Sequence, residues 1–242
     1  MSTRSAPPAV VMAAGLGTRL RPLTERYAKP VLPIDGRPVL GILLRELAGV
    51  GCPLVTVVTG HLADQVERLA GDGAAWGVPI RFARQARPDG STDAVLAANV
   101  RPPYLVLAAD TLFRPGDIGR FVDAFGSSRA VGAVAVRRSP GPAHGRHAVR
   151  VRHGLVERML DDDPENDDPE NLLTGAPLWA VAEPLARRLE TRPGRAPWEL
   201  QTAFQGAIDA GEEVAGIEIG PTRDLTAPAD VLLENFPYLR TL

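Results

Sequence analysis

Residues 9–14, Ala-Val-Val-Met-Ala-Ala, form an unbroken apolar run that ends in Gly15-Leu-Gly17-Thr18-Arg19. A short run that is apolar at every position suits a strand buried on both faces, the pattern of parallel sheets covered by helices. The pattern recurs. Residues 54–59 (LVTVVT) and 104–109 (YLVLAA, closing on Asp110) have the same character, and 79–84 and 130–136 read as further strands. Apolar residues fall at helical spacing between them, at 39–50, 62–70, 92–98 and 115–125. This alternation predicts the α/β class. The expected fold is a doubly wound, mostly parallel, Rossmann-like sheet with helices on both faces.

After about residue 140 the pattern changes. Residues 148–152 and 155–159 alternate apolar and polar around His153-Gly154, which reads as a hairpin. Strands are predicted at 178–181 and 214–219, and helices at 184–189, 198–210 and 228–235. With no Ser/Gly-rich linker, this reads as a small antiparallel addition to one sheet. The expected organisation is a disordered tail over residues 1–8 and a single domain over 9–242. Asp162-Asp-Pro-Glu-Asn166 is repeated as Asp167-Asp-Pro-Glu-Asn171; seven of the eleven residues 161–171 are acidic, so the stretch reads as a solvated loop.

Composition excludes several classes. Lys and Arg number 27 and Asp and Glu 29, a net charge of −2. That balance argues against nucleic acid or a membrane surface as a partner. The single Cys52 rules out an internal disulfide framework and a cysteine-based zinc cluster. No apolar run approaches the length of a membrane span, and the first residues lack the pattern of a signal peptide. A cytoplasmic location is the expectation. His144 and His147 sit among Gly and Pro and read as loop residues, and Trp76, Trp179 and Trp198 read as packing residues. Lys29 is the one lysine among the 27 basic residues. Abundant Arg, Ala, Gly and Pro fit a GC-rich genome, which accounts for the missing lysines and not for the retained one. A compact ammonium serves where a planar guanidinium fork does not.

A buried strand that runs straight into a glycine-rich turn places that turn at the carboxyl edge of the sheet, where open α/β sheets bind ligands. Glycines there admit a ligand close to the backbone, and free N–H groups meet an anion. Arg19 could fork onto phosphate oxygens. The turn is not a Walker A loop, since no Gly-Lys-Ser/Thr follows. It is not the dinucleotide fingerprint either, because Leu20 stands where the third glycine belongs.

The string Ala13-Ala-Gly15-Leu-Gly17-Thr18-Arg19-Leu-Arg21-Pro22-Leu-Thr24, continued by Lys29-Pro30-Val-Leu-Pro33 and Pro38, resembles the signature of the sugar-phosphate nucleotidyltransferases (the nucleotidyl transferase, or NDP-sugar pyrophosphorylase, family). Gln85-Ala-Arg-Pro88-Asp89-Gly90 is similar to the base-binding segment of the glucose-1-phosphate thymidylyltransferases. Leu107-Ala-Ala-Asp110 resembles the family's strand ending in Gly-Asp, and Arg223-Asp224-Leu-Thr-Ala-Pro228-Ala-Asp230 its near-C-terminal Asp-x-x-Thr-Pro-Glu-Asp. The resemblance runs from about residue 9 to about residue 236 and implies the nucleotide-diphospho-sugar transferase type of Rossmann-like sheet.

The resemblance implies that a phosphate oxygen of an acceptor attacks the α-phosphorus of a nucleoside triphosphate and pyrophosphate leaves. The attacking group is already anionic, so positioning and charge neutralisation are what the protein supplies. Carried over residue by residue, Arg19 and Lys29 are the catalytic cations. Ala13, Ala14, Gly15, Gly17, Thr18, Arg19, Gln85 and Gly90 bind the nucleotide. Asp110 and Asp224 hold Mg2+. A glutamine amide offers a donor and an acceptor and suits a pyrimidine, with UTP or dTTP expected and CTP open. The implied partners are the nucleoside triphosphate and a phosphorylated small molecule, with a homo-oligomer compatible. For the acceptor, Arg158 stands near the place of the family's second lysine, and Thr174 and Gly175 resemble its sugar-floor strand; Pro177 departs from that pattern. Two other readings remain at this point. One is a cytidylyltransferase of the same fold acting on a small phosphate or phosphonate. The other is a catalytically silent relative, against which Arg19, Lys29, Asp110 and Asp224 all speak.

Overall fold

The computed structural model describes residues 6–138, 148–159, 173–192 and 195–236. The acidic repeat, His144 and His147 lie outside the described residues. The strands of the sheet appear where unbroken or alternating apolar runs predict them. Elements in chain order are β1 (Ala9–Ala13), β2 (Pro33–Ile34), β3 (Arg37–Pro38), α1 (Val39–Gly49), β4 (Val55–Thr59), α2 (Ala63–Ala70), β5 (Ile80–Arg84), α3 (Ser91–Ala97), β6 (Tyr104–Ala108) and β7 (Thr111–Leu112). They continue with α4 (Asp117–Ser127), β8 (Gly132–Arg138), β9 (Val149–Arg152), β10 (Leu155–Met159), β11 (Leu173–Val181), α5 (Glu183–Thr191), α6 (Leu200–Asp209), β12 (Val214–Glu218), β13 (Arg223–Asp224) and α7 (Pro228–Asn235).

Nine strands make one sheet in the order β5-β4-β1-β6-β11-β8-β12-β10-β9. Strands β5, β4, β1 and β6 are mutually parallel, and β12 is parallel to β8. Strand β11 runs antiparallel to both β6 and β8, and β10 antiparallel to β12 and β9. The period of two along each strand divides the core between the faces. Ala9, Val11, Val57, Leu107 and Ala135 pack against Leu44 of α1, Val66 of α2 and Phe121 of α4. On the other face Val10, Val58, Val106 and Val134 pack against Val95 of α3, Leu185 of α5 and Phe204 of α6. The doubly wound sheet is therefore covered by three helices on each side. A smaller cluster of Leu20, Ile34, Val39, Leu112 and Leu225 seats the two-stranded ribbons β2–β3 and β7–β13 beside the sheet.

Within the main sheet the structure differs from the sequence-based expectation at the start of β1 and in the length of β11. Residues 6–8 do not belong to a disordered tail. Ala6 is 3% exposed, the Pro8 carbonyl accepts from Leu105 N at 2.9 Å, and Ala6 N donates to Val50 O. The lead-in is held because it extends β1 between two neighbours. Strand β11 is also longer than predicted, nine residues instead of the four at 178–181. Its register with β8 shifts between Gly175 and Trp179. That irregularity accommodates Pro177, which has no N–H to give a ladder.

Candidate active site

At the carboxyl edge of the parallel strands the structure opens a cleft of two adjoining lobes. The first, about 230 Å³, lies between the glycine-rich loop and the end of β6, with Ala13, Gly15, Gly17, Thr18, Arg19, Lys29 and Asp110 on its walls. The second, about 270 Å³, lies between the end of β8, the first part of β11, the start of α6 and the β7–β13 ribbon. Arg137, Gly175, Trp179, Glu199, Gln201 and Asp224 line it. Arg19, Lys29, Ala108, Asp110 and Thr226 line both lobes.

The loop is built around Gly17, whose φ is +62°. Its carbonyl accepts from the Thr24 hydroxyl at 2.8 Å, and His61 Nε2 lies 2.8 Å from the Thr24 carbonyl. A Cβ on Gly17 would stand 2.7 Å from Thr24 Cγ2, so the turn requires glycine. The following 3₁₀ turn, Thr18–Leu20, buries Leu20 and leaves Arg19 exposed on the cleft wall.

Lys29 opens a second 3₁₀ turn, Lys29–Val31. Gln65 of α2 pins the backbone just ahead of it. Its Oε1 accepts from Ala28 N at 2.9 Å and its Nε2 donates to Arg26 O at 2.7 Å. The Lys29 side chain is 14% exposed, with Nζ 2.5 Å from Asp110 Oδ2. An ammonium this enclosed is not a solvated surface charge; it needs an anion beside it.

Asp110 and Asp224 line the same lobe although they lie far apart in the chain. Ala109 N donates to Met12 O at 3.0 Å, which carries Asp110 just past the sheet edge. Strand β7 then pairs with β13, and Asp224 is in register with Thr111. Arg223 clamps that ribbon, donating to Glu234 Oε2 at 2.5 Å and to Asp35 Oδ2 at 2.5 Å. Its hydrogen bond holds the Asp35 carboxyl below the ordinary carboxylate range, and the two acids raise the guanidinium in return. Asp230 Oδ2 accepts from Thr226 N and Ala227 N, both at 2.7 Å, so that acid shapes the turn carrying Thr226 to the cleft. Among the described residues no third His, Cys, Asp or Glu joins Asp110 and Asp224 to form a ready-made metal cluster. Two carboxylates lining one cleft nevertheless fit, by their chemistry, a hard divalent cation whose remaining ligands are water and phosphate oxygens. Asp110 already faces one cation, the Lys29 ammonium.

Of the other expected residues, Gly175 reaches the cleft, while Ala14, Gln85, Gly90, Arg158 and Thr174 sit off its walls. Gln85 is buried, and its Nε2 donates to Gly90 O at 3.0 Å and to Asp93 Oδ2 at 3.1 Å. A Cβ on Gly90 would stand 2.3 Å from Trp198 O. These two residues brace the loop ahead of α3, and neither lines a lobe. Ala14 packs against Gly60. Arg158 is exposed on β10, while its neighbour Met159 turns in and lines the second lobe. Thr174 is paired with Arg137 across β11 and β8, and the next residue, Gly175, reaches the wall. Sequence reasoning missed Arg137, Trp179, Glu199, Gln201 and Thr226. A signal existed for Thr226, inside the string that carries Asp224, and for Arg137, at the end of a strand reaching the sheet's ligand edge.

The model of the nucleotidyl transferase family matches residues 8–173. A glucose-1-phosphate thymidylyltransferase of Streptomyces griseus is 30% identical over 237 residues, 96% of this chain and 66% of that protein, so the chain spans about two thirds of its length. A CMP-5'-(3-aminopropyl)phosphonate synthase of Streptomyces rubellomurinus is 36% identical over 210 residues, 83% of this chain and 32% of that protein. The solved UDP-glucose pyrophosphorylase from Acinetobacter baumanii superposes with a TM-score of 0.81 at 20% identity, covering 96% of this chain and 93% of that one, a likeness of fold. With residues 8–173 matched, more than half of its length, the chain belongs to the nucleotidyl transferase family.

Proposed function

We propose that this chain transfers a nucleoside monophosphate from a nucleoside triphosphate to the phosphate of a sugar 1-phosphate, forming an NDP-sugar and releasing pyrophosphate. One observation carries the reading: two lobes share Arg19, Lys29 and Asp110, which is what two phosphorylated ligands meeting at common charges require. In this reading Gly15, Gly17 and Thr18 present backbone to the phosphates in the first lobe. Arg19 holds the β- and γ-phosphates. Lys29, enclosed at the junction, faces both the α-phosphate and the acceptor phosphate. An acceptor oxygen forms the new bond to the α-phosphorus as the bond to the bridging oxygen breaks, and the electron pair leaves with pyrophosphate. No proton transfer from the protein is needed, so the cations act by placing and neutralising charge. Magnesium held by Asp110 and Asp224 would neutralise triphosphate charge when bound.

UTP or dTTP is the proposed donor, supported by the likeness of residues 85–90 to thymidylyltransferases and by the Streptomyces griseus relative. The described strands form one principal sheet with two ribbons seated on it, which supports residues 9–242 as a single domain. Among the described residues no helix is long and apolar enough to cross a membrane, and a cytoplasmic location is part of the proposal. A second reading is a cytidylyltransferase acting on a small phosphate or phosphonate. Two observations favour it: the 36% identical phosphonate synthase, and a second lobe with no lysine of its own.

The test is a panel of nucleoside triphosphates against glucose 1-phosphate, other sugar 1-phosphates and 3-aminopropylphosphonate, with pyrophosphate release as readout. Release with UTP or dTTP and a sugar 1-phosphate supports the first reading. Release only with CTP and the phosphonate supports the second, and no release with any pair refutes both.

A further inference from the structure

Nucleotidyl transfer brings two anions into one cleft, and this chain has one lysine with which to meet them. The cations on the walls are Arg19, Lys29 and Arg137. Arg19 and Lys29 line both lobes and are committed to the triphosphate side as well. Arg137 lines the second lobe alone. Arg158, offered by the sequence for the acceptor, sits exposed on β10 away from that wall.

We propose that Arg137 grips the phosphate or phosphonate of the acceptor and so sets which acceptors bind. The inference rests on the nucleotidyl-transfer reading above and names a residue which that reading lacks. Arg137 is half-buried at the penultimate position of β8, in register with Thr174, whose hydroxyl donates to the Arg137 carbonyl at 3.4 Å. Its position is set by two central strands of the sheet and not by a loop. Among the described residues no carboxylate pairs with its guanidinium, whereas the next residue, Arg138, is bound to Glu218 at 2.9 Å. A guanidinium fork can take two phosphate oxygens at once, which leaves the third free to attack. The charges on the second lobe also balance: Arg19, Lys29 and Arg137 face Asp110, Glu199 and Asp224. A dianionic phosphate entering with a divalent cation preserves that balance. The acceptor class that follows is a small molecule, fitting about 270 Å³, that ends in a phosphate monoester or an unesterified phosphonate.

The experiment measures steady-state pyrophosphate release with the active nucleotide and two probes, glucose 1-phosphate and 3-aminopropylphosphonate. It compares wild type, Arg137→Ala, Arg137→Lys and Arg138→Ala. Arg137→Ala should raise the acceptor KM about tenfold to a hundredfold, the factor that losing charge-assisted hydrogen bonds brings. Its KM for the nucleotide should stay near wild type, Arg137→Lys should recover part of the loss, and Arg138→Ala should behave as wild type. Nucleotide binding by calorimetry checks that the Ala variant is folded. An unchanged acceptor KM in a wild type that turns over overturns this inference and leaves the nucleotidyl-transfer reading standing. An equal rise in both KM values overturns it too. A wild type that releases no pyrophosphate with any probe overturns both.

Discussion

Gly15 and Gly17 stand two residues apart in the same loop, yet replacing each with alanine should have opposite consequences. Gly17 is required by the backbone: its φ is +62°, and a Cβ would lie 2.7 Å from Thr24 Cγ2 and 3.2 Å from Thr24 Cβ. Thr24 is 2% exposed and its hydroxyl is tied to the Gly17 carbonyl at 2.8 Å, so it cannot swing aside. Left-handed geometry costs an alanine about 1–2 kcal/mol, and overpacking adds about 1–3 kcal/mol. Gly17→Ala should therefore lose about 3 kcal/mol, a Tm drop of about 6–12 °C for a chain of this size. Gly15 has no atom within 4 Å of its would-be Cβ and no left-handed φ, so Gly15→Ala should keep stability within about 0.5 kcal/mol. The new methyl nevertheless stands on the wall of the first lobe, where phosphates must approach the backbone. Losing one hydrogen bond to a charged ligand should weaken nucleotide binding about tenfold to a hundredfold. Thermal unfolding followed by circular dichroism, and calorimetry with dTTP or UTP and magnesium, read the two effects separately. A Gly15→Ala variant that binds nucleotide as wild type does would refute the placement of the phosphates. A Gly17→Ala variant with an unchanged Tm would refute the backbone argument.

Lys29→Arg should lose most pyrophosphate release although charge is kept, because the ammonium is 14% exposed and sits 2.5 Å from Asp110, and a longer planar fork places its charge differently from a compact point charge. Near-normal turnover in that variant would sink the special role of the lysine. Arg223→Ala should release Asp35 and Glu234 and loosen β13. The expected result is a higher magnesium concentration for half-maximal rate with only a modest fall in Tm; an unchanged magnesium requirement would show that Asp224 does not depend on the clamp. The Asp35 carboxyl is held below its ordinary value by Arg223, so its contribution is present above the unfolded-state pKa, about 4, and fades as pH falls through the depressed value. The Tm difference between wild type and Asp35→Asn should thus hold from neutral pH down to about 4 and close below it; a difference that instead widens in acid would reverse the sign argued here.

The principal strands and helices were largely legible because each is a local pattern. β1 and β6 are apolar at nearly every position, β4 is built of Val and Thr alone, and α1 to α4 carry an apolar stripe. What was not legible depends on partners distant in the chain. The ribbons β2–β3 and β7–β13 have two residues per strand, too few to show a period. The five residues of β11 ahead of the predicted strand, 173–177, include Gly175 and Pro177, which break the local strand pattern until a register shift is seen to accommodate them. Residues 6–8 read as a tail because nothing local announces that Val50 and Leu105 will bond their backbone.

The same distinction divides the candidate site. The first lobe is walled mainly by one continuous stretch, from Met12 to Pro30, together with the end of β6. Its φ values, turns and small residues are written consecutively, so a single string announces it. The second lobe is assembled by pairing. Because β11 runs antiparallel between β6 and β8, it brings its beginning, not its end, to the carboxyl edge, and places Gly175 beside Arg137. Met159 comes from the far hairpin, Glu199 from the start of α6, and Asp224 from a ribbon. On this wall Ser91, Glu199 and Leu200 are tied together, the Ser91 hydroxyl donating to Glu199 Oε2 at 2.6 Å and accepting from Leu200 N at 2.8 Å, whereas Arg137, at the end of β8, holds no neighbour's backbone through its side chain among the described residues. The nucleotide half is more tightly interlocked: a Cβ on Gly17 would meet Thr24 Cγ2 at 2.7 Å and Lys29 Cβ at 3.6 Å, and the Thr24 hydroxyl is tied back to the Gly17 carbonyl. Acceptor preference is therefore the property that substitution can retune most readily in this architecture, and Arg137, which lines the second lobe alone, is the residue to exchange while Asp224 is kept.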